Sequence, residues 1–279
     1  TDKEARTFKL NIPPPRGQIV DRKGVPLAQN RVAHYLALSF PFMLNATDAQ
    51  VLDYAHQRIS RVNQLLNKNW GLPDDRLLLH YKNRRWLPLV FSVTDRLNDE
   101  LSPEQEAHIK PLLVPGNGLL IQPAYLRVYP KKDSAPHIIG YTRRIRALPT
   151  TPVQDGDPIF EETEGVDGLE KTFDKDLQGK PGVINILFNA DGTKADEQML
   201  RRPTPGNNVV TTLDFDLQKQ AENALARHVK GGAMVIIDVK TGDILAMASY
   251  PNFDLNLWVP GISSATFAML NSTPGNPQL

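Results

Sequence analysis

Cysteine is absent from the 279 residues. That excludes disulfides, a thiol nucleophile and thiolate metal sites, and it leaves the compartment undecided, because envelope proteins without disulfides are common. No apolar run approaches the ~18 residues that cross a bilayer, and no signal-like stretch opens the chain. Neither charge is in real excess: 32 Lys and Arg against 31 Asp and Glu leave a net charge of +1. Such a balance supplies no field for gripping a polyanion, so nucleic acid is excluded as a partner. Repeats and low-complexity tracts are missing as well. The chain starts at Thr1 instead of Met, so an upstream segment is expected.

What is present is length enough for about two domains, each with its own core. Proline is plentiful at 23 residues, and it falls between patterned segments, at Pro13-Pro14-Pro15, Pro149 and Pro152. Many strands and extended connections are therefore expected, with helices in the minority. Residues 1–15 read as a polar, poorly packed lead-in. "GQIVDRKGVPLAQNRVAHYLALSF" reads as strand, turn, strand. From Thr47 to Leu66 the apolar Val51, Leu52, Ala55, Ile59, Val62, Leu65 and Leu66 recur at helical spacing behind a Thr47 or Asp48 cap. "SPEQEAHIKPLL" predicts a shorter helix with Ser102 as cap, Pro103 in the first turn and Gln105 completing a capping box.

Between them "RRWLPLVFSV" has strand character, as does "GLLIQPAYLRVYP" further on. Leu169, Phe173 and Leu177 lie four apart and predict one helix, with Gly179 as its stop. Residues 183–189 and 207–213 read as strands joined by the polar stretch "NADGTKADEQ". Beyond about residue 206, Asp214 is placed to cap a helix carrying Leu217, Ala221, Ala224 and Leu225, ended by Gly231-Gly232. "AMVIIDV" and "DILAMASY" then predict two strands around a short turn.

That turn contains Lys240-Thr241-Gly242, one of three signatures of serine acyl-transferases that react with penicillin. The site also needs a serine with a lysine one helical turn later, so that the amine takes the hydroxyl proton, and a Ser-x-Asn. Neither occurs in this chain. The triplet is therefore read as a hairpin turn in which Gly242 supplies positive φ, and no catalytic residue is assigned. Gly-rich phosphate loops, His-Glu-x-x-His and Gly-x-Ser-x-Gly are missing too, and His34, His56, His80, His108, His137 and His228 have no ligand spacing. No metal and no cofactor are expected. Asn45 and Asn271 open Asn-x-Thr triplets too short to carry weight.

Three further stretches act together. "RGQIVDRKGVPLAQN" carries Arg16, Gly17, Asp21, Arg22, Gly24 and Leu27 in an Arg-Gly-x-Ile-x-Asp-Arg-x-Gly-x-x-Leu-Ala pattern. "YLRVYP" and "HIIGY" place Arg127, Tyr129 and Gly140. "GVDGLEKTFDKDLQGKPG" places Gly165, Gly168, Leu169, Glu170, Gly179 and Gly182. With "TTLDFDLQKQAENAL", "GAMVIIDVKTGDILAMASYPNFDLNLW" and "GISSATFAMLN", these resemble the class B penicillin-binding proteins in family order from residue 16 onward, and within that class the elongation type.

The resemblance implies an α+β fold. An elongated, mostly-β pedestal (1–40 and 118–205) would carry a small α/β head lobe (41–117) and the incomplete opening of a transpeptidase fold (206–279). It also implies a parent protein that crosslinks peptidoglycan by acyl transfer from a D-Ala-D-Ala stem peptide, anchored in the bacterial inner membrane with its bulk in the periplasm. Its partners would be a glycosyltransferase of the shape, elongation, division and sporulation class and an MreC-type scaffold. This chain would be the non-catalytic portion; a purely non-enzymatic scaffold and a division-type relative are the other readings. Gly24, Gly179 and Gly182 are expected at positive φ. Arg16, Asp21, Arg22, Arg127 and Glu170 are expected to form one ion-pair network between the N-terminal ribbon and the Gly165-Gly168 helix, because charges within strand and helix patterns are paired when buried.

Overall fold

The computed structural model describes residues 5–92, 100–145, 148–190, 193–259 and 261–275. Strand β1 (Arg6–Ile12) leads through three prolines to β2 (Ile19–Val20), a turn and the long β3 (Pro26–Leu38). Helices α1 (Asp48–Leu66) and α2 (Asp74–Arg84) follow, then β4 (Leu89–Val90), α3 (Pro103–Ile109) and β5 (Leu119–Val128). Short elements come next: α4 (Pro136–Ile139), β6 (Thr142–Arg144), β7 (Thr163–Gly165), α5 (Gly168–Thr172) and α6 (Asp174–Leu177). After them are β8 (Gly182–Phe188), β9 (Lys194–Arg201), β10 (Val209–Val210) and α7 (Phe215–His228), then β11 (Gly232–Ile237), β12 (Ile244–Tyr250) and α8 (Ser264–Ser272).

The architecture is α+β, and β3 is its spine. It pairs antiparallel with β5 from Gln29↔Val128 to Leu38↔Leu119, while β2 and β4 join its two ends and β10 lies parallel beside β2. The spine enters two cores. Leu27, Ala28, Ala33 and Tyr35 pack centrally with Leu126, Tyr129, Ile139 and Leu177. Leu36 and Leu38 instead enter a helical lobe against Val51, Ala55, Ile59 and Val62 of α1 and Leu77 of α2. A third core lies on the β1-β8-β9 sheet, where Phe8, Leu10 and Ile12 face Ile184, Ile186 and Phe188. In a fourth, Ala221 and Leu225 of α7 pack on Ala246 and Ala248 of the β11-β12 pair. A cleft of about 1250 Å³ opens between the lobe and the β1-β8-β9 sheet, the lower sheet, lined by Tyr54 and His80 of the lobe and by Ile184, Ile186 and Phe188 of that sheet together with Trp86, which packs on its core.

Helix α1 has its predicted start: the Thr47 hydroxyl accepts from the Gln50 amide and the Gln50 side chain accepts from the Thr47 amide. Asn67 ends it in a left-handed conformation (φ 49°). Ser102 and Gln105 make the same reciprocal cap at α3. Asp214 caps α7.

Several expectations fail for identifiable reasons. From Arg6 onward the lead-in is not loose, residues 1–4 lying outside the described residues: β1 buries Phe8, Leu10 and Ile12 on one face because β8, far along the chain, pairs with all of it. "RRWLPLVFSV" contains strand only at Leu89–Val90; Arg84 is the last residue of α2, and Val93 lies outside the described residues. The expected single helix across Leu169, Phe173 and Leu177 breaks at Phe173 (φ −105°, ψ 23°). Gln178 is already extended, so Gly179 is not the stop. Of 207–213 only Val209–Val210 is strand. The linking stretch "NADGTKADEQ" contains most of β9, apart from Asp191 and Gly192, which lie outside the described residues. Every β9 residue is exposed, so it has no apolar alternation to read. Helix α7 ends at Val229 instead of the glycine pair, and Gly232 opens β11.

Candidate functional site

The central core encloses charge. The three prolines carry the chain extended from β1 to Arg16, β5 presents Arg127, and α5 points Glu170 back at both. Glu170 has no solvent exposure. Its Oε2 accepts from Arg16 Nε at 2.7 Å, and its Oε1 accepts from Arg127 Nε at 2.7 Å and from the Tyr129 hydroxyl at 3.2 Å. Arg16 Nη2 donates to the Glu170 carbonyl at 2.8 Å and Nη1 to Asp174 Oδ1 at 2.6 Å. Arg127 Nη1 donates to the Gly17 carbonyl at 2.7 Å and to Asn30 at 3.2 Å, while Nη2 is buried without a hydrogen-bond partner.

Two guanidinium and two carboxylate groups thus neutralise one another, which is the condition for keeping such charges in a low-dielectric interior. Burial pushes the Tyr129 hydroxyl far above its ordinary range, and the Glu170 charge adds to this. The phenol therefore stays protonated, donates to Glu170 and accepts from the Thr142 amide at 3.1 Å. The cluster stitches β5, α5, α6, β6 and the loop before β2 into one body.

Asp21 and Arg22 are not part of it, which corrects the expected five-residue network. Asp21 is buried, and its Oδ1 accepts from the Lys23 and Val25 amides at 2.8 Å. Its Oδ2 accepts from the Phe215 amide at 3.1 Å, at the first residue of α7. Backbone donors satisfy this carboxylate, so it needs no arginine. Arg22 points to solvent, and its amide donates to the Leu213 carbonyl. Lys23 pairs with Asp214 (2.9 Å) and Asp216 (3.1 Å), and its hydrogen bond holds the Asp214 carboxyl below the usual range.

Two constraints act on the motif glycines. Gly24 has φ 84° with open space around it. Gly179 and Gly182 do not have the expected positive φ; they are where backbones touch, since a Cβ would stand 2.0 Å from the Thr204 carbonyl oxygen at Gly179 and 2.7 Å from Pro203 at Gly182. Close approach also accounts for Gly17 and Gly165, where a Cβ would meet backbone of residues 207 and 170, while Gly140 (φ 70°) and Gly168 (φ 55°) combine positive φ with such contact, against residues 167 and 138. Leu169 packs against the central core.

A second polar cluster escaped the sequence reading. Glu222 of α7 is buried, and it accepts from the Ser134 hydroxyl at 3.0 and 3.1 Å, the Ala135 amide at 2.8 Å and Gln218 Nε2 at 2.9 Å. Asn256 accepts from the Tyr129 amide at 2.9 Å and donates to the Tyr129 carbonyl at 3.0 Å, completing a two-point clamp on the backbone. The signal was available: Gln218, Ala221, Glu222 and Leu225 share one helical face, two of them polar among apolar neighbours. Lys240, Thr241 and Gly242 (φ 79°) form an exposed turn between β11 and β12. His34 and His56 meet Glu106 and Asp74 near the surface. Buried His80 contacts the Leu87 carbonyl at 2.8 Å, and burial lowers its pKa to about 4. Among the described residues no group of three or more His, Asp or Glu side chains is placed to hold a metal.

The described residues thus form a glycine-packed, charge-locked β body that carries a helical lobe and is tied to a helix-on-sheet unit. The profile of the penicillin-binding protein dimerisation domain matches residues 11–211, and the chain belongs to that family. Among curated relatives, the peptidoglycan D,D-transpeptidase MrdA of Acinetobacter baumannii is 29% identical over 95% of this chain and 37% of its own length. The Escherichia coli MrdA is 27% identical over 98% of this chain and 41% of its own. The chain therefore spans well under half the length of these relatives. Among solved structures, a penicillin-binding protein PBP2 from Helicobacter pylori, in complex with MreC, superposes with a TM-score of 0.70 at 25% identity, over 98% of this chain and 48% of that one. A chain of a peptidoglycan synthase complex that coordinates polymerization and crosslinking superposes with a TM-score of 0.60 at 29% identity, over 99% of this chain and 44% of that one.

Proposed function

We propose that this chain is the pedestal of an elongation-type peptidoglycan D,D-transpeptidase, and that it orients acyl-transfer chemistry performed by residues outside it. The observation that carries this reading is the end-to-end similarity to two MrdA transpeptidases combined with the lack of any Ser-x-x-Lys or Ser-x-Asn in these residues. In the parent protein a serine would attack the stem-peptide D-Ala-D-Ala carbonyl, release the terminal D-Ala and pass the acyl group to an amine. Residues 1–40 and 118–205 serve as the pedestal, 41–117 as the head and 206–279 as the opening of the catalytic fold. Arg16, Arg127, Tyr129 and Glu170 act as its structural lock. The parent sits in the inner membrane with its bulk in the periplasm.

The partners are a glycosyltransferase of the shape, elongation, division and sporulation class and an MreC-type scaffold. Support comes from the two similar structures, one a complex with MreC and the other a synthase that couples polymerization to crosslinking. The cleft between lobe and lower sheet is the docking surface this reading favours, because it is concave and mixes aromatic side chains with Arg84 and Arg144. Fluorescent penicillin is the test. A labelled band for the full-length gene product and none for these 279 residues is expected. An unlabelled full-length protein would establish a scaffold without enzymatic activity, and a labelled 279-residue chain would overturn the pedestal role.

A further inference from the structure

Between β5 and α4 the chain runs through residues 129–135, and two of its non-glycine residues, Lys132 (φ 50°) and Ala135 (φ 51°), are left-handed. L-residues hold that conformation only where the surroundings over-determine it. Two local turn bonds, from the Lys132 amide to the Tyr129 carbonyl and from the Ser134 amide to the Lys131 carbonyl, are joined here by restraints from the far side of the junction. The Lys132 carbonyl accepts from the Leu255 amide at 3.2 Å, and the Asp133 carbonyl accepts from Asn252 at 2.8 Å. Ser134 and Ala135 both donate to Glu222. Tyr129 is held at its backbone by Asn256 and at its hydroxyl by Glu170. One loop therefore touches the charge-locked core at one end and is gripped by α7 and the segment after β12 along the rest. Asp21 adds a separate tie at the start of α7.

We propose that Glu222 and Asn256 are positioning residues: by holding loop 129–135 in its left-handed form they set the orientation of the C-terminal helix-on-sheet unit against the pedestal. This goes beyond the transpeptidase reading, and it rests on that reading only for its consequence in catalysis. Glu222 suits the role because its carboxylate is committed to the loop and to Gln218, and its one charged contact among the described residues is a 3.6 Å approach from Lys219. Asn256 suits it because a side-chain amide presents the donor and acceptor spacing of a peptide group, so it pairs with Tyr129 as a strand residue would.

The test is a distance measurement in the full-length protein. These residues contain no cysteine, so once any cysteine elsewhere in the full-length protein is replaced, spin labels can be placed by Arg61→Cys with Lys240→Cys across the junction, and by Arg61→Cys with Lys175→Cys between head and pedestal, which does not cross the junction, as a control. Glu222→Ala and Asn256→Ala are each expected to widen the 61–240 distance distribution at least twofold, to leave the 61–175 distribution unchanged, and to slow acylation by fluorescent penicillin at least tenfold. Should Glu222→Ala fail to fold, Ser134→Ala removes the two hydroxyl contacts to Glu222 from the loop side, leaving the Ala135 amide, and is judged by the same distances. An unchanged 61–240 distribution in the folded variants overturns the proposal, and so does a widened distribution with wild-type acylation. If the wild-type full-length protein is not acylated, the transpeptidase reading fails while the distances still decide the joint.

Discussion

Glu170 is fully buried and touches two guanidinium groups and a phenol, so its removal takes the carboxylate from buried Arg127 and leaves Arg16 with that of Asp174 alone. Glu170→Ala is expected to destabilise the chain by roughly 3–5 kcal/mol in urea unfolding, with Arg16→Ala, which frees one carboxylate edge, at the lower end of that range. His80 predicts a pH dependence. Its folded pKa is depressed to about 4, so below its ordinary value of about 6.5 the unfolded state takes up a proton that the folded state refuses. Stability is therefore unaffected by this residue above that value, falls as pH drops through the window, and has lost about 3 kcal/mol once pH 4 is reached. His80→Gln should remove this part of the acid dependence, as read from melting at stepped pH. At this scale Arg16, Arg127 and Glu170 were legible as a set destined for pairing. That Asp21 is served by amides and Arg22 by solvent was not, since a carboxylate's partner is chosen by whichever donors the fold brings near.

Local elements follow local chemistry when the signal lies within one or two turns. The α1 capping box is such a case, and Thr47→Ala is expected to cost about 1 kcal/mol, measured as a lowered urea midpoint with unchanged m. The glycines make a sharper comparison. At Gly24 an alanine meets nothing but a φ of 84°, so Gly24→Ala should cost about 1–2 kcal/mol. At Gly179 the obstacle is a carbonyl oxygen 2.0 Å from the added Cβ, so Gly179→Ala should exceed the ~1–3 kcal/mol of ordinary overpacking because backbone must move. Reversed ranking of these two variants by thermal melting would refute the assignment of Gly179 to close packing. The elements misread were those whose partner is remote. Strand β1 owes its burial to β8, β9 is an edge strand with every side chain exposed, and the break at Phe173 lets Asp174 reach Arg16 while Leu177 enters the core.

For the whole molecule, β3 joins the helical lobe to the central core, and loop 129–135 joins that core to the C-terminal unit, so both connections run through the β3-β5 pair. A partner seated in the proposed cleft would meet the flank of this pair at Tyr125 of β5, whose side chain is exposed. The amino-acid sequence by itself determined the capped helices, the two-strand turn at Lys240-Thr241-Gly242 and the lack of any Ser-x-x-Lys or Ser-x-Asn in these residues, because each depends on residues within a few positions of one another. It also carried the family through the order of its motifs. Tertiary structure alone decided which charges met, which glycines were contact points and which polar side chains grip the junction. Those outcomes depend on groups far apart in the chain arriving within 3 Å of each other, and desolvation then selects among them.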